Sequence, residues 1–265
     1  RNCEMLRPRI IPCLLIQDSG LVKTVRFKDP KYVGDPINAV KIFNEKEADE
    51  LIVIDIDASA HDREPDYQKI AYLASECRMP LCYGGGVRTA AQAKRIIALG
   101  VEKVAISSAA LANPALISEI AAEIGRQSVV VVLDHKQRLL GKTQDVWTHN
   151  GTRNTKRSVI DVALEMEKLG AGEIVINSID NDGKMKGYNV ALAAHLREVL
   201  TVPLTVLGGG GSLDDMHKVV AACGVVGVAA GSFFVFKGPY RAVLISYPTA
   251  QQKRDSIYSA LQGRR

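Results

Sequence analysis

Short, nearly uninterrupted apolar runs punctuate the chain at residues 10–15, 51–56, 80–83, 103–107, 129–134, 173–178, 203–207 and 225–230. Each is about one strand long. A run that is apolar at consecutive positions, and not only at alternate ones, predicts a parallel strand buried on both faces. Between the runs, apolar positions return at helical spacing over 36–46, 90–99, 114–124, 158–169 and 214–222. Strands alternating with helices in this way, in a chain of 265 residues, predict an α/β fold closed into a (β/α)8 TIM barrel. The expected organisation is a single barrel domain over 1–265, with 1–8 as an N-terminal extension and 238–265 as a C-terminal helical tail.

The pattern also repeats. Gly84-Gly85-Gly86 begins 16 residues before Gly100, with Ser107-Ser108 beyond; Gly208-Gly209-Gly210 begins 16 residues before Gly224, with Gly231-Ser232 beyond. Upstream, Asp49-Glu50-Leu51-Ile52-Val53-Ile54 echoes Gly172-Glu173-Ile174-Val175-Ile176. Two similar (β/α)4 halves would place equivalent sites across a two-fold axis. A doubly wound open sheet, the rival fold, gives no reason for such a repeat.

Barrel chemistry sits at the C-terminal ends of the strands, and both glycine clusters fall there. Glycines let the backbone approach a ligand and present successive N–H groups to a phosphate. Serine turns after the fourth and eighth strands add hydroxyls and helix N-terminal amides. Each half therefore predicts one phosphate site, and the pair suits a ligand with a phosphate at each end. Tight strand-to-helix turns would also use these glycines. Carboxylates share the same face: Asp55 and Asp57 after strand 2, Asp134 at the end of strand 5, Asp180 and Asp182 after strand 6. An acid partly desolvated at a barrel mouth can serve as general acid or base, while others of the set cap helices or hold loops. His135 follows Asp134 and would alternate away from the lumen; His61, His149, His195 and His217 carry no signal.

Composition narrows the classes further. The formal charge of +5 comes with no basic run interleaved with aromatics, so small anions are expected as ligands and nucleic acid is not. No apolar run approaches the length of a membrane span. No signal peptide is visible, Met5 is a candidate initiator, and a cytoplasmic protein is expected. Cys3, Cys13, Cys77, Cys82 and Cys223 are odd in number and without a CxxC pair, which predicts free thiols, no zinc site and no cofactor.

Several segments now read together: Arg9-Ile10-Ile11-Pro12-Cys13-Leu14, Gly34-Asp35-Pro36, Ala48-Asp49-Glu50-Leu51, Gly84-Gly85-Gly86-Val87-Arg88, Lys103-Val104-Ala105-Ile106, Ala171-Gly172-Glu173-Ile174 and Ser178-Ile179-Asp180-Asn181-Asp182-Gly183. In order and spacing they resemble the cyclase subunit family of imidazole glycerol phosphate synthase (HisF), over residues 9–236. The resemblance implies a partner glutaminase, a class I amidotransferase subunit docked at the N-terminal face, whose ammonia crosses the barrel to a doubly phosphorylated substrate. It implies an ammonia gate of Arg9, Glu50, Lys103 and Glu173. It implies one phosphate site at Gly85, Gly86, Ser107 and Ser108, and another at Asp182, Gly183, Gly209, Gly210, Ala230 and Gly231.

The chain also departs from that family. Two mouth carboxylates are implied, and only the strand 5 acid is present, as Asp134. The strand 1 position holds Leu15, which moves no proton; Asp18 lies three residues on and would substitute only if the loop folded back. Gly208 stands where the resemblance implies a serine, and Ser107-Ser108 stands for Asn-Thr. The gate is kept while a catalytic acid is lost. The tail, Phe233-Phe234-Val235-Phe236-Lys237-Gly238 through Tyr247-Pro248, together with Cys13-Leu14-Leu15-Ile16, resembles a divergent branch associated with amidation of bacterial surface sugars in lipopolysaccharide biosynthesis. That resemblance implies a separate sugar-modifying enzyme as a third component. The first expectation is thus an ammonia-channelling subunit of a glutamine-dependent amidotransferase. The alternatives are a true cyclase-lyase of histidine biosynthesis and a non-catalytic phosphate- or protein-binding scaffold.

Overall fold

The computed structural model describes residues 6–61, 63–138, 141 and 143–264. Cys3 and Met5 lie outside the described residues. Eight parallel strands form the barrel: Arg9–Gln17, Leu51–Asp55, Leu81–Gly84, Lys103–Ile106, Val129–Gln137, Glu173–Ser178, Leu204–Leu207 and Gly227–Ala230. Each pairs with the next, and the eighth returns to the first in the register Arg9↔Gly227 to Pro12↔Ala230. Closure leaves the barrel no free sheet edge. Alternate side chains of strand 1 face opposite ways. Ile10 and Leu14 join the large core under the helices, and Ile11 and Cys13 join a smaller cluster inside the barrel with Ile52, Cys82, Ala105, Val130, Val175 and Ala229.

The helices are amphipathic and capped. Pro36–Glu45 starts on Asp35, and Ala90–Ala98 on a Thr89–Gln92 capping box. Two further helices, Tyr67–Glu76 and Val190–Val199, carry weaker sequence patterns and complete the alternation. Two antiparallel hairpins are additions that the apolar runs do not foretell. One, Gly20–Val25 with Lys28–Gly34, extends strand 1; the other, Gln144–Thr148 with Arg153–Ser158, extends strand 5. They occupy matching places in the two halves.

The helical tail expected over 238–265 is helical only from Ala250. Before it, Phe236–Lys237 and Ala242–Val243 form a two-strand ladder, and the chain then runs extended along the short helix Ser232–Val235, with Leu244 and Ser246 donating to Val235 and Phe234. Tyr247 stacks on Phe234 at 5.6 Å and its hydroxyl donates to the Ile10 carbonyl at 2.8 Å. Lys253 Nζ meets Asp49 at 2.7 Å. The tail is thereby pinned to the N-terminal face of the barrel. No helix of the described residues is long and apolar enough to cross a membrane.

Candidate active site and its two ends

The C-terminal mouth holds Asp134, which ends the inward face of strand 5. Its register partner on strand 6, Asn177, donates from Nδ2 to Asp134 Oδ1 at 2.9 Å. Burial in the mouth disfavours the carboxylate more than the Asn177 bond favours it, and the pKa rises to about 7. A carboxyl poised there gives and takes protons with equal ease near neutrality.

The other strand-end acids have structural duties. Asp55 caps the turn Ile56–Ala60, accepting from the N–H groups of Asp57 and Ala58. Asp57 accepts from the Asp18 backbone at 2.5 Å, and Asp180 accepts from the Gln137 backbone at 3.0 Å. Among the described residues no group of three or more His, Cys, Asp or Glu is arranged to hold a metal ion.

Leu15 lies level with Ile54 on strand 2 and with Val22 on the hairpin. Asp18 sits at the exposed hairpin tip with φ +46°, so the chain does not fold it back into the position Leu15 vacates. The polar group beside Leu15 is instead Lys23. Its ammonium is fully buried, donates to the Cys13 carbonyl at 2.7 Å, and has its pKa lowered by burial, with Cys13 and Asp182 opposing that shift.

Asp182 works as a clasp. Its Oδ2 accepts from Thr24 Oγ1 at 2.8 Å and from the Phe27 N–H at 3.1 Å, which holds the first hairpin against the loop after strand 6. Asp182, Gly183, Gly208, Gly209, Gly210 and Gly231 line one narrow cleft with Leu15, Lys23, Leu207 and Ser232. With the hairpin clasped the cleft is narrow, about 30 Å³. Several of these glycines are required by the fold itself. A Cβ on Gly209 (φ +108°) would lie 2.1 Å from the Gly187 carbonyl, and one on Gly183 (φ +69°) would lie 2.2 Å from the Thr24 carbonyl. Ala230 is buried at the end of strand 8, and Gly231 opens the helix Ser232–Val235 without a side-chain cap.

The other half is built alike. Gly85 and Gly86 have positive φ and sit against the Asp55 and Arg63 carbonyls. Ser107 opens the helix Ser108–Ala112, again without a side-chain cap, and Ser108 Oγ accepts from the His149 backbone of the second hairpin at 3.0 Å. The two hairpins meet over the mouth, where a Cβ on Gly151 would be 3.3 Å from the Phe27 ring.

The opposite end of the barrel carries a closed ring of charge. Arg9 bridges Glu50 and Glu173, and Lys103 Nζ bridges the same two carboxylates at 3.0 and 2.9 Å. Against the burial that would raise it, Arg9 and Lys103 pull Glu173 down to about 2. Thr205, fully buried, joins them: its hydroxyl donates to Glu173 at 2.6 Å and accepts from Arg9 at 3.3 Å. All four charges expected from the sequence converge here. Thr205, Lys23 and Asn177 escape sequence reasoning. The available signal was a lone polar residue inside, or just beyond, an apolar run.

Comparison with known proteins adds to this geometry. A family model described as Histidine biosynthesis protein matches residues 9–240. The putative imidazole glycerol phosphate synthase subunit hisF3 of Vibrio vulnificus is 56% identical, covering 97% of this chain and 99% of that protein. The putative imidazole glycerol phosphate synthase subunit HisF of Leptospira borgpetersenii is 53% identical over 94% and 98% respectively. The imidazole glycerol phosphate synthase subunit HisF of Hyphomonas neptunium is 40% identical over 88% and 91%.

Proposed function

Because this chain belongs to the histidine biosynthesis family of barrels, we propose that it is the ammonia-accepting cyclase-type subunit of an imidazole glycerol phosphate synthase. It would work with a glutaminase subunit at its N-terminal face. This reading takes the place of the sugar amidation expected first from the sequence, because the relatives carry the names of imidazole glycerol phosphate synthase subunits, two of them as putative ones at 56% and 53% identity and one without that word at 40%. The observation that carries it is the pairing of two ends of one barrel: a closed, fully paired charge ring at one, and a single carboxyl with a pKa of about 7 at the other.

In this mechanism ammonia enters through the ring of Arg9, Glu50, Lys103 and Glu173 and travels along the barrel interior. The substrate lies across the mouth, one phosphate on Gly85, Gly86, Ser107 and Ser108, the other on Gly183, Gly209, Gly210, Ala230 and Gly231 near Asp182. Asp134 transfers the proton as ammonia adds. Lys23, whose burial eases loss of its proton, is the second proton-carrying group beside Leu15. The working test supplies the doubly phosphorylated precursor with glutamine and glutaminase subunit, with and without the barrel. Product that needs both subunits supports the assignment; product formed by neither combination removes it.

A second reading has one specific observation behind it, Leu15. A barrel without the strand 1 carboxylate would serve as a conduit that hands ammonia to a separate sugar-modifying enzyme. In that case Asp134→Asn leaves amidated product formation nearly intact.

A further inference from the structure

A second cavity lies away from the mouth. It is a notch of about 380 Å³ on the N-terminal face, bounded by Arg7, Arg9 and Asp49 of the barrel and by Lys253, Arg254 and Tyr258 of the tail. Arg9 is a member of the charge ring, so the notch opens directly beside the ring's outer rim.

Its walls are fixed. Asp49 accepts from the Ile10 N–H at 2.9 Å and from Lys253 Nζ at 2.7 Å, and Tyr247 ties the same strand start to the tail. The Arg7 guanidinium lies 5.5 Å from the centre of the Tyr258 ring. Charge in the notch does not balance. Arg9 is matched by Glu50 and Glu173, and Lys253 by Asp49. Arg7 and Arg254 are exposed, and among the described residues neither pairs with a carboxylate; Arg254 reaches only Gln251.

We propose that this notch is the anchoring point for an acidic segment of the glutaminase partner. The inference rests on the proposed function, since it takes the ring as the inlet for ammonia. A subunit that covers Arg9 and leaves a cavity of this size beside it would leave ammonia a side exit to water. A seated carboxylate closes the exit and neutralises Arg7 and Arg254 together. Arginine suits that role, because its planar fork takes a carboxylate through two parallel hydrogen bonds. The tail, which supplies Lys253, Arg254 and Tyr258 to the notch, thus selects the partner.

The test is titration of the cognate glutaminase subunit onto the full barrel by calorimetry, with association rates at low and at physiological salt. Wild type is compared with Arg254→Glu and with the double reversal Arg7→Glu/Arg254→Glu; both side chains are exposed, and thermal melts check that the fold is unchanged. Reversing charges at such an interface should weaken binding about tenfold per site and slow association most at low salt. Arg254→Gln should give a smaller loss. Equal affinity of wild type and both reversals overturns the notch as an anchor and leaves the synthase reading standing. Failure of the wild-type barrel to bind any glutaminase takes down both.

Discussion

Asp134→Asn separates function from stability at one residue. The carboxyl moves from an ordinary 3.8 to about 7 on folding. A group whose folded pKa is raised supports the fold below its unfolded pKa and loses that support as pH rises through the folded value. Wild type should therefore lose stability between about pH 4 and pH 7. About three units at roughly 1.4 kcal/mol each set an upper bound of about 4 kcal/mol. The side chain keeps partial exposure, and screening brings the expectation to about 1–3 kcal/mol. Asparagine fills the same space, carries no charge and can still pair with Asn177. Urea denaturation of both proteins at pH 4 and pH 8 measures the difference. The variant should match wild type at pH 4 and exceed it by about 1–3 kcal/mol at pH 8, while turnover falls about 10²- to 10⁴-fold. Equal stabilities at both pH values, or a less stable variant at pH 8, would refute a desolvated, ionising Asp134.

Three further outcomes follow from the same geometry. Thr205→Val keeps the shape but removes the hydroxyl that donates to Glu173; it should cost about 1–2 kcal/mol by urea denaturation and raise the amount of glutamine hydrolysed per product formed. Lys103→Met leaves two buried carboxylates to Arg9 alone and should cost about 3–5 kcal/mol. Glu173, held near 2, contributes its stability above its unfolded pKa, so the Lys103→Met deficit measured by thermal unfolding should shrink as pH falls from about 4.5 toward 2. Gly209→Ala forces a Cβ onto the Gly187 carbonyl at positive φ; its melting temperature should fall and inorganic phosphate should no longer protect it from unfolding.

The barrel was legible because strands buried on both faces leave unbroken apolar runs, and every one of the eight runs lies on or overlaps a barrel strand. The four ring charges were legible through the family resemblance, which matched Arg9, Glu50, Lys103 and Glu173 where they precede or open strands 1, 2, 4 and 6. The hairpins were not. Gln17-Asp18-Ser19-Gly20 marks a turn, but Gly20–Val25 mixes Lys23 and Thr24 into a short apolar stretch, and Lys28–Gly34 is almost wholly exposed. The duties of Asp55, Asp57, Asp180 and Asp182 were hidden for a different reason. A strand-end aspartate that caps a helix and one that moves a proton read alike until their hydrogen-bond partners, which are backbone groups far apart in sequence, are in place. Lys23 and Thr205 were hidden because one polar residue in an apolar run gives no direction. Only closure of the barrel turns one toward Cys13 and the other toward Glu173.

The most direct test of the central claim is turnover of the doubly phosphorylated cyclase substrate by the purified chain, supplied with ammonium salt at alkaline pH, with Asp134→Asn and Leu15→Asp alongside. A cyclase that works with Asp134 and without a strand 1 carboxylate gives clear product in wild type and loses it in Asp134→Asn. No product from wild type, with the substrate still bound and activity appearing in Leu15→Asp, would contradict that claim and leave the barrel as a conduit for ammonia.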